Sequence, residues 1–167
     1  MCGNAARNKT VKEDELYRMI ANQELESAQG DNTEELPVSP EVRKRALDPV
    51  FIGEIAAPDG YAHVRGDCGD TMEVFLAVRD RRICQARFDT IGCGFTLACG
   101  SMAMEMAEGK STAEAMGIDE HKIAEALGGL PDSHRHCAEL TSEALRKAIQ
   151  DYLFRGKESW KKLYRNR

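Results

Sequence analysis

The sequence predicts an α+β fold, and three observations carry that expectation. Met72, Val74, Leu76 and Val78 alternate with Glu73, Phe75, Ala77 and Arg79, the period of two that gives a strand one apolar face. Cys137, Leu140, Thr141, Ala144, Leu145, Ala148, Ile149 and Tyr152 recur at spacings of three and four, which places them on one face of a helix. The strand signals precede the main helix signals, so the helices are segregated from the strands rather than alternating with them.

Residues 1–38 read as an N-terminal extension, a helix followed by a linker. Val11, Leu16, Met19, Ile20 and Leu25 fit an amphipathic helix over 12–28. Residues 29–40 form a polar linker broken by Gly30, Pro37 and Pro40. The main domain spans 39–167. Ser39 caps a short helix over 40–47 with Pro40 in its first position, and Pro49 ends it near Asp48. The turn Pro58-Asp59-Gly60 leads into a short strand over 62–64. The alternating strand follows, then a turn at Asp80-Arg81 and a returning strand over 82–91 whose apolar pattern is mixed. Consecutive strands with so short a link pair antiparallel.

Beyond residue 94 the signals are helical. A Met- and Ala-rich helix over 95–108 is closed by Gly109. Ser111 and Glu114 form a capping box, and Asp119 caps a helix over 120–127 that Gly128-Gly129 stops. The last helix begins between His134 and Cys137 and runs to about Phe154.

Composition excludes several function classes. The net charge of −5 argues against general nucleic-acid binding, which needs a basic surface. The charge is uneven: 13–35 is acidic and 155–167 is basic, read as solvated surface. The uncharged stretch 90–104 is too short to span a bilayer and is broken by Gly92, Gly94 and Gly100. The N-terminus has no apolar signal-peptide core, so a cytoplasmic location is expected. In that compartment the six cysteines are poorly explained by disulfides, leaving packed thiols, metal ligands or sulfur chemistry.

Three cysteines stand out. Cys68 lies in the loop Gly66-Asp67-Cys68-Gly69-Asp70, just before the alternating strand. Cys93 sits between Gly92 and Gly94, where the returning strand turns into a helix. A hairpin brings these two loops to the same end of the sheet. His136-Cys137 stands at the start of the last helix, where exposed N–H groups favour a thiolate. If that end packs over the same sheet edge, three thiolates, one imidazole and the Asp70 carboxylate converge. Thiolates and imidazole suit zinc, ferrous iron or an iron–sulfur cluster. Asp70 is the harder and more exchangeable ligand, suited to a site that releases what it binds. No C-x-x-C pair is present. Cys84, in a strand, and Cys99, in a helix, read as small packed hydrophobes. Cys2 is not expected to be a ligand, and His63 and His121 read as surface histidines.

The segments CGDTMEVFLAV at 68–78, ARFDTIGCG at 86–94 and HCAELTSEALRKAIQDY at 136–152 resemble the IscU/NifU family in order and spacing. DPVFIG at 48–53 with Pro58-Asp59-Gly60 is similar to the family's lead-in, and the resemblance covers about 39–155. It implies a small antiparallel three-stranded sheet with helices packed on one side. It implies a scaffold without turnover of its own, which assembles a transient 2Fe–2S cluster from iron and the persulfide sulfur of a cysteine desulfurase. The cluster then passes to carrier or recipient apoproteins. By match, Cys68, Asp70, Cys93, His136 and Cys137 hold the cluster or its iron, zinc can occupy the same set, and Cys137 is the persulfide acceptor. A homodimer around a cluster is compatible with this.

The chain departs from the family pattern in places. The Leu-Pro-Pro-Val-Lys segment recognised by a dedicated chaperone is here Leu130-Pro131-Asp132-Ser133-His134, and His134 would add an imidazole near the site. The alternative is a zinc-dependent sulfur-transfer protein of the SufU type. That branch has a longer insertion before its last cysteine and lacks the histidine; the 44 positions between Cys93 and Cys137 favour the IscU-like branch.

Overall fold

A computed structural model describes Ala6–Arg7 and residues 38–165, with side chains described over 38–156. Its order is α1 (Pro40–Leu47), β1 (Gly60–Arg65), β2 (Thr71–Arg79), β3 (Arg82–Ile91), α2 (Gly94–Ala107), α3 (Thr112–Ala115), α4 (Glu120–Ala126) and α5 (Arg135–Arg165). The helix expected over 12–28 lies outside the described residues. Ala6–Arg7 pairs antiparallel with Glu54–Ile55.

The three strands form an antiparallel sheet in the order β1-β2-β3. Met72, Val74, Leu76 and Val78 are buried, as their alternation requires, and join one core with Phe95 and Leu97 of α2 and Ala144, Leu145, Ala148 and Ile149 of α5. The helices thus cover the apolar face of the sheet, and α5 packs along β1 and β2 while α2 packs on β3. Asp80 and Arg81 both have positive φ, 50° and 62°, the backbone of a two-residue hairpin turn that matches strand twist.

The mixed pattern of β3 has a structural cause. Val78 pairs with Ile83 and Ala77 with Gln85, so Cys84 is an extra residue bulged out of the ladder. The bulge flips the side-chain parity: Ile83 faces the core before it, and Ala86 and Phe88 after it. This corrects the expectation for Cys84. It is only half-buried, and it is disulfide-bonded rather than a free packed thiol.

Local capping sets the helix starts. Ser39 Oγ accepts from Val42 N–H at 3.1 Å and donates to Leu127 O, so the cap of α1 is also tied to the end of α4. The capping box at Ser111 and Glu114 and the Asp119 cap are both formed. Two boundaries differ from expectation. β1 reaches Gly60–Arg65, beyond the expected 62–64, because it pairs with β2 over that whole length. The last helix continues past Phe154 to Arg165; residues 155–165 lose the apolar period but are mostly good helix formers with no proline. Among the described residues, no helix is long and apolar enough to cross a membrane.

Candidate metal centre

Three segments meet at one end of the sheet. The β1–β2 loop closes through Gly66 N–H donating to Asp70 O at 2.8 Å and Gly69 N–H donating to Gly66 O at 3.0 Å. Gly69 has φ +93°, which a side chain would resist. Thr71 lies opposite Ile91, so this loop stands beside Gly92-Cys93-Gly94. That is the juxtaposition the hairpin implied.

Cys93 is the N-cap residue of α2, but its own side chain makes no capping bond. Asp70 supplies one from the neighbouring loop. Its Oδ2 accepts from Cys93 N–H at 3.3 Å and from Thr96 Oγ1 at 2.7 Å. A carboxylate here satisfies an otherwise orphaned N–H and complements the positive end of the helix. A Cβ on Gly92 would stand 2.6 Å from Asp70 Oδ2, so glycine is needed for the loops to approach this closely.

The third segment descends from the C-terminus of α4. Gly128 and Gly129, both at positive φ, turn the chain into buried Leu130 and Pro131. A single 3-10 turn, Asp132–His134, then delivers the start of α5. Cys137 is fully buried, and its Sγ lies 3.6 Å from Cys93 Sγ. His136 Nε2 is 3.5 Å from Cys137 Sγ on one side. The His134 ring stacks on Phe95 with centroids 3.8 Å apart and an interplanar angle of 13°. Ligand atoms of Cys93, His134 and Cys137 all lie within 4.8 Å of one another.

Two thiols in contact do not ionise independently, because the second charge would face the first in a poorly hydrated space. Cys93 is held far below the usual thiol range. The Cys137 thiol donates to it; burial opposes ionisation, while hydrogen bonds from His134 and Thr96 favour it. Cys137 is pushed up for the complementary reasons: it is the donor to Cys93, it is buried, and the Cys93 charge faces it. The pair therefore holds one thiolate, at the start of α2. The start of α5 by itself favours ionisation of Cys137, but the nearer Cys93 thiolate outweighs that dipole. Burial and the Cys93 charge also push up Cys99, which is packed at 0% exposure as expected.

Of the residues singled out by sequence, Asp70, Cys93, His136 and Cys137 come together. Cys68 is not among the three residues whose ligand atoms lie within 4.8 Å of one another. It is exposed at the loop tip and borders a cleft shared with Arg65, His136, Glu139 and Glu143. His136 thus stands between Cys137 and the cleft that Cys68 lines. His63 and His121 are exposed, as expected. Sequence reasoning missed Thr96. Its signal was its position three residues after Cys93 in the first turn of α2, where a hydroxyl can reach both the cap sulfur and a capping carboxylate.

Fold and site together define a class: an antiparallel sheet with helices on one face, carrying a thiolate–imidazole centre where two loops and a helix start converge. The chain belongs to the NifU-like N terminal domain family, whose profile matches residues 39–159. It is 45% identical over 106 residues to the iron-sulfur cluster assembly scaffold protein IscU 1 of Archaeoglobus fulgidus, covering 63% of this chain and 69% of that protein. It is 43% identical over 86 residues to the IscU scaffold protein of Escherichia coli, covering 51% of this chain and 66% of the other. Its fold is shared with a NifU-like N-terminal protein from Brucella abortus, at a TM-score of 0.56 and 20% identity over 68% of this chain and 92% of that one. A SUF-system scaffold protein described as putative, from Fervidobacterium islandicum, shares it at a TM-score of 0.56 and 20% identity, over 66% and 95%.

Proposed function

We propose that this chain is a scaffold on which a labile 2Fe–2S cluster is assembled and from which it is passed to recipient apoproteins. The observation that carries this reading is the 3.6 Å contact between Cys93 and Cys137, sulfurs from two separate elements, with the Asp70 carboxylate hydrogen-bonded at the same turn. The relatives named as cluster assembly scaffolds support it. In this reading Cys68, Asp70, Cys93, His136 and Cys137 hold the cargo. Cys68 closes on it from the loop that turns at Gly69.

Sulfur arrives as the persulfide of a cysteine desulfurase. The Cys137 thiolate attacks the terminal sulfur, the donor's S–S bond breaks, and the donor cysteine leaves as a thiolate. The transfer needs no oxidant. Because Cys137 is buried and protonated, it must first lose its proton, and metal capture by the pair would displace it. The protein turns over nothing of its own; cluster, iron and sulfur are cargo. The cleft beside Cys68 is available to partners.

Anaerobic reconstitution with iron and sulfide tests the reading. The wild-type chain should take up visible absorption of a sulfur-bridged iron cluster, and Cys93→Ser should lose most of it. A folded wild-type protein that stays colourless would overturn it. One observation favours a zinc-dependent sulfur-transfer reading instead: a Cys–His–Cys group suits zinc as well as iron. Metal analysis of protein purified without oxygen, alongside desulfurase stimulation, separates the two.

A further inference from the structure

We propose that His134 is a metal ligand of this chain, forming with Cys93 and Cys137 an inner three-ligand seat for one zinc or ferrous ion, distinct from the position of His136. The inference deepens the scaffold reading and rests on its claim that Cys93 and Cys137 bind metal.

The geometry fits a single ion. Tetrahedral coordination with Zn–S near 2.3 Å and Zn–N near 2.0 Å separates neighbouring ligand atoms by about 3.5–3.8 Å. The two sulfurs are already 3.6 Å apart, and a nitrogen of His134 lies within 4.8 Å of both. Closing that seat needs side-chain adjustment of about 1 Å, not a rearrangement of the fold. Two thiolates balance the charge of a divalent cation, and imidazole completes a borderline-soft donor set. Three protein ligands would leave a fourth position for an exchangeable one, and Asp70, which accepts from Cys93 N–H, is a carboxylate at the same turn.

His134 is also held as a ligand should be. Its ring lies flat on Phe95, itself fully buried, which fixes the plane of the imidazole. Its backbone is clamped by donation from His134 N–H to Pro131 O at 2.9 Å. Its Nδ1 is buried and, among the described residues, has no hydrogen-bond partner. A buried polar nitrogen left in that state is costly, so native structures satisfy such atoms or use them. Either ring nitrogen can bind metal, the other then keeping its proton.

His136 is placed differently. Its centroid is 6.1 Å from that of His134, its Nε2 is 3.5 Å from Cys137 Sγ, and it borders the open cleft with Cys68. The two imidazoles therefore serve two places, an inner seat for the first ion and an outer position toward Cys68.

Titration of the metal-free chain with cobalt(II), a spectroscopic stand-in for zinc, tests this. His134→Phe keeps an aromatic ring on Phe95 and removes the lone pair; His134→Ala is the second variant, and circular dichroism reports folding of both. Both should lose the bands of tetrahedral sulfur-bound cobalt and bind it more than about 100-fold more weakly, beyond the usual effect of removing an outer partner of a ligand. His136→Ala should weaken cobalt binding less than either. Wild-type affinity and spectrum in folded His134→Phe would overturn the inference, as would a larger loss from His136→Ala. Iron and sulfide reconstitution of the wild type separates the two claims. Cobalt binding that depends on His134 in a chain that takes up no cluster keeps the inference and sinks the scaffold reading. A cluster-forming chain whose cobalt binding ignores His134 does the reverse.

Discussion

Asp70 Oδ2 lies 2.7 Å from Thr96 Oγ1, so the carboxylate of the first hairpin loop closes the N-terminus of α2. One side chain thereby has two tasks, capping a helix and standing ready beside the sulfur pair. Asp70→Ala should lower stability by about 1 kcal/mol, the usual scale for loss of a cap. It should also slow release of an assembled cluster to an apoprotein, because the exchangeable oxygen is gone. Denaturant melts and the decay of cluster absorbance measure the two effects; faster loss of cluster would contradict the role given to Asp70.

The shared proton of Cys93 and Cys137 predicts a pH dependence in the metal-free protein. Cys93 is depressed, so its contribution is lost as pH falls; Cys137 is raised, so its contribution is lost as pH rises. The folded pair holds one proton where the unfolded chain holds two below a thiol pKa of about 8.5 and none above it. Unfolding takes up a proton below that value and releases one above it, so the pair's contribution peaks there. The difference in unfolding midpoint between wild type and the Cys93→Ser, Cys137→Ser double variant should trace this maximum. A difference that is flat with pH would refute the assignment.

Persulfide chemistry makes a residue-level prediction. After incubation with a cysteine desulfurase and cysteine, mass spectrometry should find one added sulfur atom on the peptide carrying Cys137. Cys137→Ser should abolish it, while Cys68→Ser should leave it in place. Sulfur carried by Cys68 instead, which is the exposed thiol of the three, would move the acceptor role to the loop tip.

Gly100 of α2 packs directly against Phe88 of β3. A Cβ there would stand 2.8 Å from Phe88 Cζ, and Phe88 has no exposed surface through which to yield. Gly100→Ala gains about 1 kcal/mol of helix propensity and loses about 1–3 kcal/mol to overpacking, so the net loss reaches about 2 kcal/mol where the buried Phe88 cannot shift. A lowered thermal midpoint with unchanged metal affinity is the expected result.

Much of this fold was legible locally. The period of two in β2, the caps at Ser39, Ser111 and Asp119 and the glycine stops at Gly109 and Gly128 all depend on residues within one turn or one strand. The mixed pattern of β3 was not interpretable until the bulge at Cys84 showed where parity flips. The hairpin was enough to bring Asp70 to Cys93, because antiparallel register follows from a two-residue turn.

What the sequence determined by itself was therefore the strand and helix inventory, the family resemblance and the chemical character of the donors. Tertiary structure alone decided which donors touch. The contact of Cys93 with Cys137 and the stacking of His134 on Phe95 each join residues on different elements. Such distances are set by how α2 and α5 pack on the sheet, and no local periodicity encodes them. The ionisation of the sulfur pair follows from the same cause, since a charge responds to its neighbours in space and not to its neighbours in the chain.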